Sequence, residues 1–411
     1  MQPPASASLG MPDPEQLPLT GVRVLDFSRL LPGPFCSQVL VDLGAEVIRV
    51  DDATRNDGGD LMRQEARLDG FGDGEFFHLV NRGKKSIALN LRDPRAVEIV
   101  KQLVVDVDIV LEGFRPGVMQ RLGVGYSALS AVRPELVYCA ISGYGQSGSF
   151  ASQAGHDLNY QALSGTLHHS RPVHQPPAVG GLQIADLAGG AMTAVSAILA
   201  ALLEAKLKGK GRFLDVSMTD GLLALNVYTL GLLSLRGQEP KPGQELITGG
   251  AACYQLYPTQ DGRWLAVGAL EQKFWVRFCN VIGRPDLAEL GHSLGDVGQA
   301  TIRAVSAEII RRPLADWREI FAPEDCCVTP VLTLEEALRD GPAAQRPGIW
   351  RTPEGRLRSS FPVSMQSTEQ QNPLRIPAQS PEIGSHSRAL LRAAGYREQD
   401  IDQLMEAGVA R

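Results

Sequence analysis

Two short segments carry the side chains best suited to moving a proton. Gly155-His156-Asp157-Leu158-Asn159-Tyr160 sets an imidazole in a loop of small residues, and Ile184-Ala185-Asp186-Leu187-Ala188-Gly189-Gly190 sets a carboxylate at the start of a predicted helix. Histidine titrates near neutrality. A carboxylate at a helix N-terminus is held ionised by the dipole unless burial raises its pKa. Such a pair could serve acid–base catalysis. Taken singly, each residue has a plainer reading that its type alone favours: Asp186 as a helix N-cap, His156 as a hydrogen-bonded core histidine. Glu271 closes Gly268-Ala269-Leu270-Glu271 after a predicted hairpin. It reads as a solvated strand end unless a second lobe folds over the first. His168, His169 and His174 lie in a polar, proline-bearing loop and read as surface.

A second group is basic. Arg49, Arg82, Lys84, Lys85, Arg115 and Arg121 fall near predicted strand ends or in the loops after them. Open parallel sheets bind ligands at those ends. Asn81-Arg82-Gly83-Lys84-Lys85 and Phe114-Arg115-Pro116-Gly117 are turn-like, which puts the charges at the rim. Converging guanidinium and ammonium groups would suit a ligand with several phosphates. Ordinary solvated charge explains any one of these residues better, and the group as a whole equally well.

The elements that must position these groups alternate strand and helix. Val22 to Phe27 is a strand, the turn Leu31-Pro32-Gly33-Pro34 leads into a helix over Phe35 to Leu43, and Val47 to Val50 is a second strand. Helix over Ala96 to Val104, strand over Ile109 to Leu111, helix over Ala128 to Val132 and strand over Leu136 to Ile141 continue the pattern. This predicts a doubly wound α/β sheet. Asp51, after the second strand, sits where a ribose-binding acid would. The turn before the helix has Gly33 between two prolines in place of G-x-G-x-x-G, which argues against a nicotinamide or flavin dehydrogenase. A long helix over Ala188 to Leu207, a strand over Phe213 to Val216 and a helix over Gly221 to Leu235 follow. A polar linker covers Arg236 to Leu246. Beyond it, a hairpin (Tyr254 to Tyr257, Trp264 to Gly268) and three helices predict a smaller α+β lobe.

Composition narrows the class. The 411 residues are 44% hydrophobic and 21% charged with a net charge of −6, ordinary for a globular protein and without a general attraction to nucleic acid or anionic membrane. The apolar stretch Ala188 to Leu203 reads as a buried helix, too short and too polar to span a bilayer. Met1 to Leu17, rich in proline and serine, reads as a loose leader, not a signal peptide. The scattered cysteines, with no C-x-x-C, predict buried reduced thiols, no metal site and a cytoplasmic protein.

These segments together resemble the class III CoA-transferase superfamily, and within it the α-methylacyl-CoA racemase branch, in order from about Leu19 to Ala407. The resemblance is carried by Leu31-Pro32-Gly33-Pro34-Phe35-Cys36, Asn81-Arg82-Gly83-Lys84-Lys85-Ser86, Phe114-Arg115-Pro116-Gly117-Val118-Met119 and Ser142-Gly143-Tyr144-Gly145-Gln146-Ser147-Gly148. It is carried further by Gly155 to Tyr160, Gly249-Gly250-Ala251-Ala252, Asp261-Gly262 with Val267 to Glu271, and Cys327-Val328-Thr329-Pro330-Val331-Leu332. It implies a Rossmann-like large domain (19–235) after the leader (1–18), and a linker with a smaller α+β domain (236–340). It further implies a C-terminal segment (341–411) that returns to the large domain, and an interlocked homodimer. It implies an acyl-CoA thioester as substrate, no cofactor beyond its CoA moiety, and CoA contacts from Arg49, Lys84, Arg115 and Arg121. His156 and Asp186 become the acid–base pair and Glu271 the partner of His156.

The activity so implied is interconversion of (R)- and (S)-2-methylacyl-CoA through an enolate. The enolate oxygen would be held by backbone N–H groups near Asp186. The stretch between Asp52 and Asn81 is longer than in compact racemases and more like the transferase branch. No Gly-Gly-Gly-Gly-Gln loop of the formyl-CoA transferase type follows residue 240. The alternative is a CoA-transferase in which Asp186 is a nucleophile. A third reading, an idle acyl-CoA binder, leaves His156, Asp186 and Glu271 without a purpose.

Overall fold

The computed structural model describes residues 17–63, 74–346, 348–363, 366–367, 370–371 and 379–411; most of the predicted leader and part of the long stretch after Asp52 lie outside the described residues. The chain divides into two units. The first is built from Met1–Ser164, Leu182–Leu225 and Arg346–Arg411, the second from Gly165–Gly181 and Asn226–Gln345.

The first unit is a six-stranded parallel sheet of β1 (Arg23–Asp26), β2 (Glu46–Asp52), β3 (Lys85–Leu89), β4 (Ile109–Glu112), β5 (Val137–Ser142) and β6 (Arg212–Ser217), in the order β3-β2-β1-β4-β5-β6. This is the doubly wound order, with its crevice where the winding reverses between β1 and β4. Alternate side chains feed two cores. Val24, Val47, Ile109, Leu111 and Ile141 pack with the helices Pro32–Asp42 and Thr193–Lys208. Leu25, Ile48, Ile87, Val110 and Tyr138 pack with Pro94–Val104 and with the C-terminal helices Ser387–Ala393 and Glu398–Glu406. Strand β3 and the helix Glu75–Asn81 were not foreseen; Ser86-Ile87-Ala88-Leu89 is short and follows a charged turn. The edge of β3 is covered by the chain end, where Asn90 N–H donates to the Val409 carbonyl (2.8 Å) and Arg411 N–H to that of Ala88 (3.1 Å).

The long helix expected from Ala188 begins as a π-helical stretch, Ala185–Met192, and continues as α-helix over Thr193–Lys208. At 24 residues, with an 18-residue window of mean hydropathy 1.7, the combined run is long and apolar enough to cross a membrane, because it extends past Ala188 to Leu203 at both ends. Its Ala191, Ala194, Val195, Ile198, Ala201 and Leu202 are nevertheless buried in the first core. The helix expected over Gly221 to Leu235 is two, Met218–Leu225 and Val227–Arg236, broken at Asn226.

The second unit holds an antiparallel sheet of β7 (Tyr254–Pro258), β8 (Trp264–Gly268) and β9 (Val328–Pro330). It is backed by Trp275, Phe278, Trp317 and Phe321, whose rings lie 5.2–5.8 Å apart. Five cysteines are buried free thiols; Cys327 is exposed.

In the first unit the π-helical stretch lies against Met218–Leu225 backbone to backbone. A Cβ on Gly221 would stand 2.1 Å from the Gly189 carbonyl oxygen. Gly221→Ala therefore overpacks this contact, and thermal or denaturant unfolding should show a loss of about 1–3 kcal/mol. An unchanged unfolding midpoint would mean that the two helices separate without cost.

Candidate functional site

The basic residues at the strand ends have two fates. Arg49 leaves β2 on the same side as Asp51, two residues on, and is fully buried. Its Nε donates to Asp51 (2.8 Å), one terminal nitrogen to Asp60 (2.8 Å) and the other to Asn81 (3.2 Å). Lys84 Nζ donates to Ser37 (2.7 Å), Asn81 (2.9 Å) and the Pro34 carbonyl (3.0 Å), and lies 3.4 Å from Asp26. Burial, against the pull of Asp26, brings the Lys84 ammonium down to about 8. Arg82 is buried on Asp42 and stacks over Trp350. The rim placement expected for Arg49, Lys84 and Arg82 is thus corrected: carboxylates from four segments, Asp26, Asp42, Asp51 and Asp60, have drawn them inward. Lys85 is half-exposed on Glu46. Asp51, the would-be ribose acid, is taken by Arg49, Arg63 and the Ser86 hydroxyl. Gly33 packs directly on Ser28, where an added Cβ would lie 2.2 Å from Ser28 Cβ.

Arg115 and Arg121 are exposed. They bracket the short helix Val118–Arg121, which follows β4 through a left-handed Gly117. The turn that offers Arg115 is pinned by Glu112, whose carboxylate accepts the Phe114 N–H (2.7 Å). Burial raises the Glu112 carboxyl to about 7.

His156 and Asp186 are joined through a residue that the sequence did not single out. His156 is exposed at the N-cap of the helix Asp157–Leu163, its N–H on the Asn159 side chain (3.1 Å). The next residue, Asp157, turns its Oδ1 to the start of the π-helical stretch and accepts the N–H groups of Ala185 (2.8 Å) and Asp186 (3.1 Å). Asp157 is therefore the cap of that helix, and Asp186 lies inside its first turn, half-buried. Burial, aided by the nearby Asp157 charge, pushes the Asp186 carboxyl up to about 7. Tyr160 closes the floor. Its hydroxyl donates to the Gly155 carbonyl (2.5 Å) and its ring stands edge-on to Tyr144 at 5.2 Å. Burial, with Asp186 adding and Arg115 opposing, pushes that hydroxyl up to about 12, which puts Asp186 and Arg115 in one electrostatic neighbourhood. The Ala185 and Asp186 N–H groups expected to hold an enolate oxygen are already engaged by Asp157.

Glu271 belongs to the second unit, exposed at the N-cap of the helix Gln272–Val281. No group of three or more metal-ligating side chains occurs among the described residues. An exposed imidazole, a half-buried carboxyl raised toward neutrality and the exposed Arg115 guanidinium, which acts on the same tyrosine as that carboxyl, are groups able to pass protons beside an anionic handle.

The sequence matches the family model for CoA-transferase family III over residues 19–387. It is 34% identical over 392 residues to the alpha-methylacyl-CoA racemase of Mus musculus, covering 94% of this chain and 96% of that one. It is 30% identical over 406 residues to the succinyl-CoA:glutarate CoA-transferase of the same species, covering 95% and 90%. The fold is similar to that of a CAIB/BAIF family protein from Brucella suis, with a TM-score of 0.78, 26% identity, and coverage of 92% of this chain and 99% of that one.

The raised Asp186 pKa has a consequence for stability. From an ordinary 3.8 to about 7, the folded protein holds a proton that the unfolded chain has released, so this group's contribution falls as pH rises through that window. Asp186→Asn lacks the effect. Its melting temperature relative to the native protein should climb from pH 4 to pH 7 and level off above. A constant difference across that range would show an unperturbed Asp186.

Proposed function

The chain belongs to CoA-transferase family III, and from that premise we propose that it racemises 2-methylacyl-CoA thioesters by two-base proton transfer. The observation that supports this most directly is Asp157. It sits next to His156 in the chain and binds the backbone of Asp186, so an imidazole and a carboxyl near neutrality are held to one small region. One group removes the α-proton as the C–H electrons move into the thioester, leaving an enolate. The other returns a proton to the opposite face, and the roles exchange with the hand of the substrate. Phosphates of CoA would meet Arg115 and Arg121, the exposed members of the basic group, while Arg49 and Lys84 hold the strand ends together.

A second reading has support of its own, since a relative named as a CoA-transferase matches over the same share of the chain. There Asp186 attacks the thioester carbonyl, CoA thiolate leaves, and an acyl anhydride forms on the carboxylate. His156 has no part in that exchange.

The two are separated by incubating the protein with a chiral 2-methylacyl-CoA in deuterated water. A racemase incorporates deuterium at the α-carbon. His156→Ala and Asp186→Asn should each abolish inversion while retaining exchange on opposite enantiomers. Transfer of CoA to a free carboxylic acid with an untouched α-proton would sink the racemase reading. Arg115→Ala should weaken acyl-CoA binding by about 1.5–3 kcal/mol, the range for a charge-assisted hydrogen bond. Unchanged affinity in both Arg115→Ala and Arg121→Ala would remove the phosphate placement.

We also expect a homodimer. Leu203 and Leu207 in the first unit and Val227 and Leu235 in the second are 61–82% exposed, apolar surface of the kind that a partner covers. An active monomer in sedimentation at assay concentration would rule this out.

A further inference from the structure

One cation at the winding reversal has no hydrogen-bonded or ion-paired partner among the described residues. Arg29 follows β1 by three residues. Its neighbours Arg49, Arg63 and Lys84 all pair with Asp26, Asp51 or Asp60. The Arg29 guanidinium makes no hydrogen bond or ion pair among the described residues, and its Nε is buried unsatisfied. Asp52 is near enough to act on it, but Asp52 Oδ1 is taken by the N–H and hydroxyl of Thr54 (2.9 and 2.7 Å). Leaving buried donors unmatched costs about 1–3 kcal/mol.

The fold holds this side chain in place at further cost. Leu30, the next residue, has φ +63, a left-handed conformation unusual for a leucine, and its N–H reaches Asp60 (3.3 Å). Gly59, at φ +82, makes the space: an added Cβ would stand 2.7 Å from the Arg29 Cζ and 2.8 Å from both terminal nitrogens. Phe114 lies 4.9 Å below the guanidinium and is followed directly by Arg115, which acts on Tyr160 as Asp186 does. Strained backbone at Leu30 and a buried, unsatisfied donor on Arg29 meet at this point.

We propose that Arg29 binds a carboxylate of the substrate, either at the far end of the acyl chain or on a free acid that shares the site. The protein thereby favours dicarboxylic over plain aliphatic acyl groups. A guanidinium is the side chain best matched to a planar carboxylate. A carboxylate suits this position better than a phosphate because Asp51, Asp52 and Asp60 act on the same point. Their field opposes a dianion twice as strongly as a monoanion. The proposal rests on the acyl-CoA reading of the site, and is indifferent to whether a proton or CoA moves.

The test compares glutaryl-CoA with valeryl-CoA, which differ in the terminal carboxylate, and free glutarate with 3′,5′-ADP, by calorimetry on the full chain. The native protein should bind glutaryl-CoA at least tenfold more tightly than valeryl-CoA. Arg29→Ala should erase that preference and leave valeryl-CoA and 3′,5′-ADP binding unchanged. Arg29→Lys should restore part of it, and Gly59→Ala, which displaces the guanidinium without removing it, should weaken it. Loss of glutarate binding in Arg29→Ala places the free acid on Arg29; loss confined to glutaryl-CoA places the acyl terminus there. Equal binding of the two thioesters by the native protein overturns the proposal and leaves the acyl-CoA reading standing. Binding of neither removes both. Loss of 3′,5′-ADP binding in Arg29→Ala would make Arg29 a phosphate contact and overturn the carboxylate assignment.

Discussion

The buried charge network of Arg49, Asp51, Asp60, Lys84 and Asp26 is the constraint on which the rest of the first unit depends. All five side chains are out of water. Removing one member of such a network strands another charge in the interior, which costs about 3–5 kcal/mol. The network ties together β1, β2, the turn before β3, the helix Pro32–Asp42 through Ser37, and the stretch 53–63 through Asp60. Asn81 Oδ1 accepts from both cations, so the helix Glu75–Asn81 is bound in as well. With the ends of β2 and β3 filled by protein, the proposed ligand is left Arg29 after β1 and the ends of β4 and β5, where Arg115 and Tyr160 lie.

On that side, two glycines and an aspartate do the positioning. Gly189 and Gly221 let the π-helical stretch and Met218–Leu225 meet through their backbones, so the helix that carries Asp186 has little freedom to slide. π-Helical turns recur at functional sites because they turn a side chain out of helical register. Asp157 then fixes the start of the stretch from outside. The Asp186 carboxyl is left half-buried with a like charge nearby and no cation bonded to it among the described residues, the setting that lifts a carboxyl toward neutrality.

The sheet was largely legible because its strands are apolar runs separated by helical spacing. Strand β3 escaped because its four core residues follow two lysines and look like the end of a turn. Arg49 and Lys84 were read as rim charges, although Arg49 and Asp51 stand two apart in a strand and must share a face. Opposite charges at that spacing, next to buried Ile48 and Val50, are the signature of an internal ion pair, so the signal was present. For the capping role of Asp157 no local pattern exists: the two N–H groups it accepts are 28 and 29 residues away, and only the fold brings them together. The same holds for Arg29, whose space depends on a glycine thirty residues on.

The field around Asp186 explains why one scaffold can serve two chemistries. A base that takes an α-proton gives up its negative charge to the enolate. A nucleophile that attacks a thioester gives up its charge to the carbonyl oxygen and then to the departing thiolate. In both cases negative charge leaves the carboxylate beside Asp157, so the Asp157 field favours both steps. Burial first, and the Asp157 field second, raise the basicity of Asp186 without selecting the reaction. Selection falls to the second group at the site. An imidazole able to take the proton role on the opposite face makes racemisation a complete cycle, whereas the transferase cycle closes without it. On the proposed reading, the exposed His156, next to Asp157 in the chain, is the feature on which the choice between proton and acyl transfer turns.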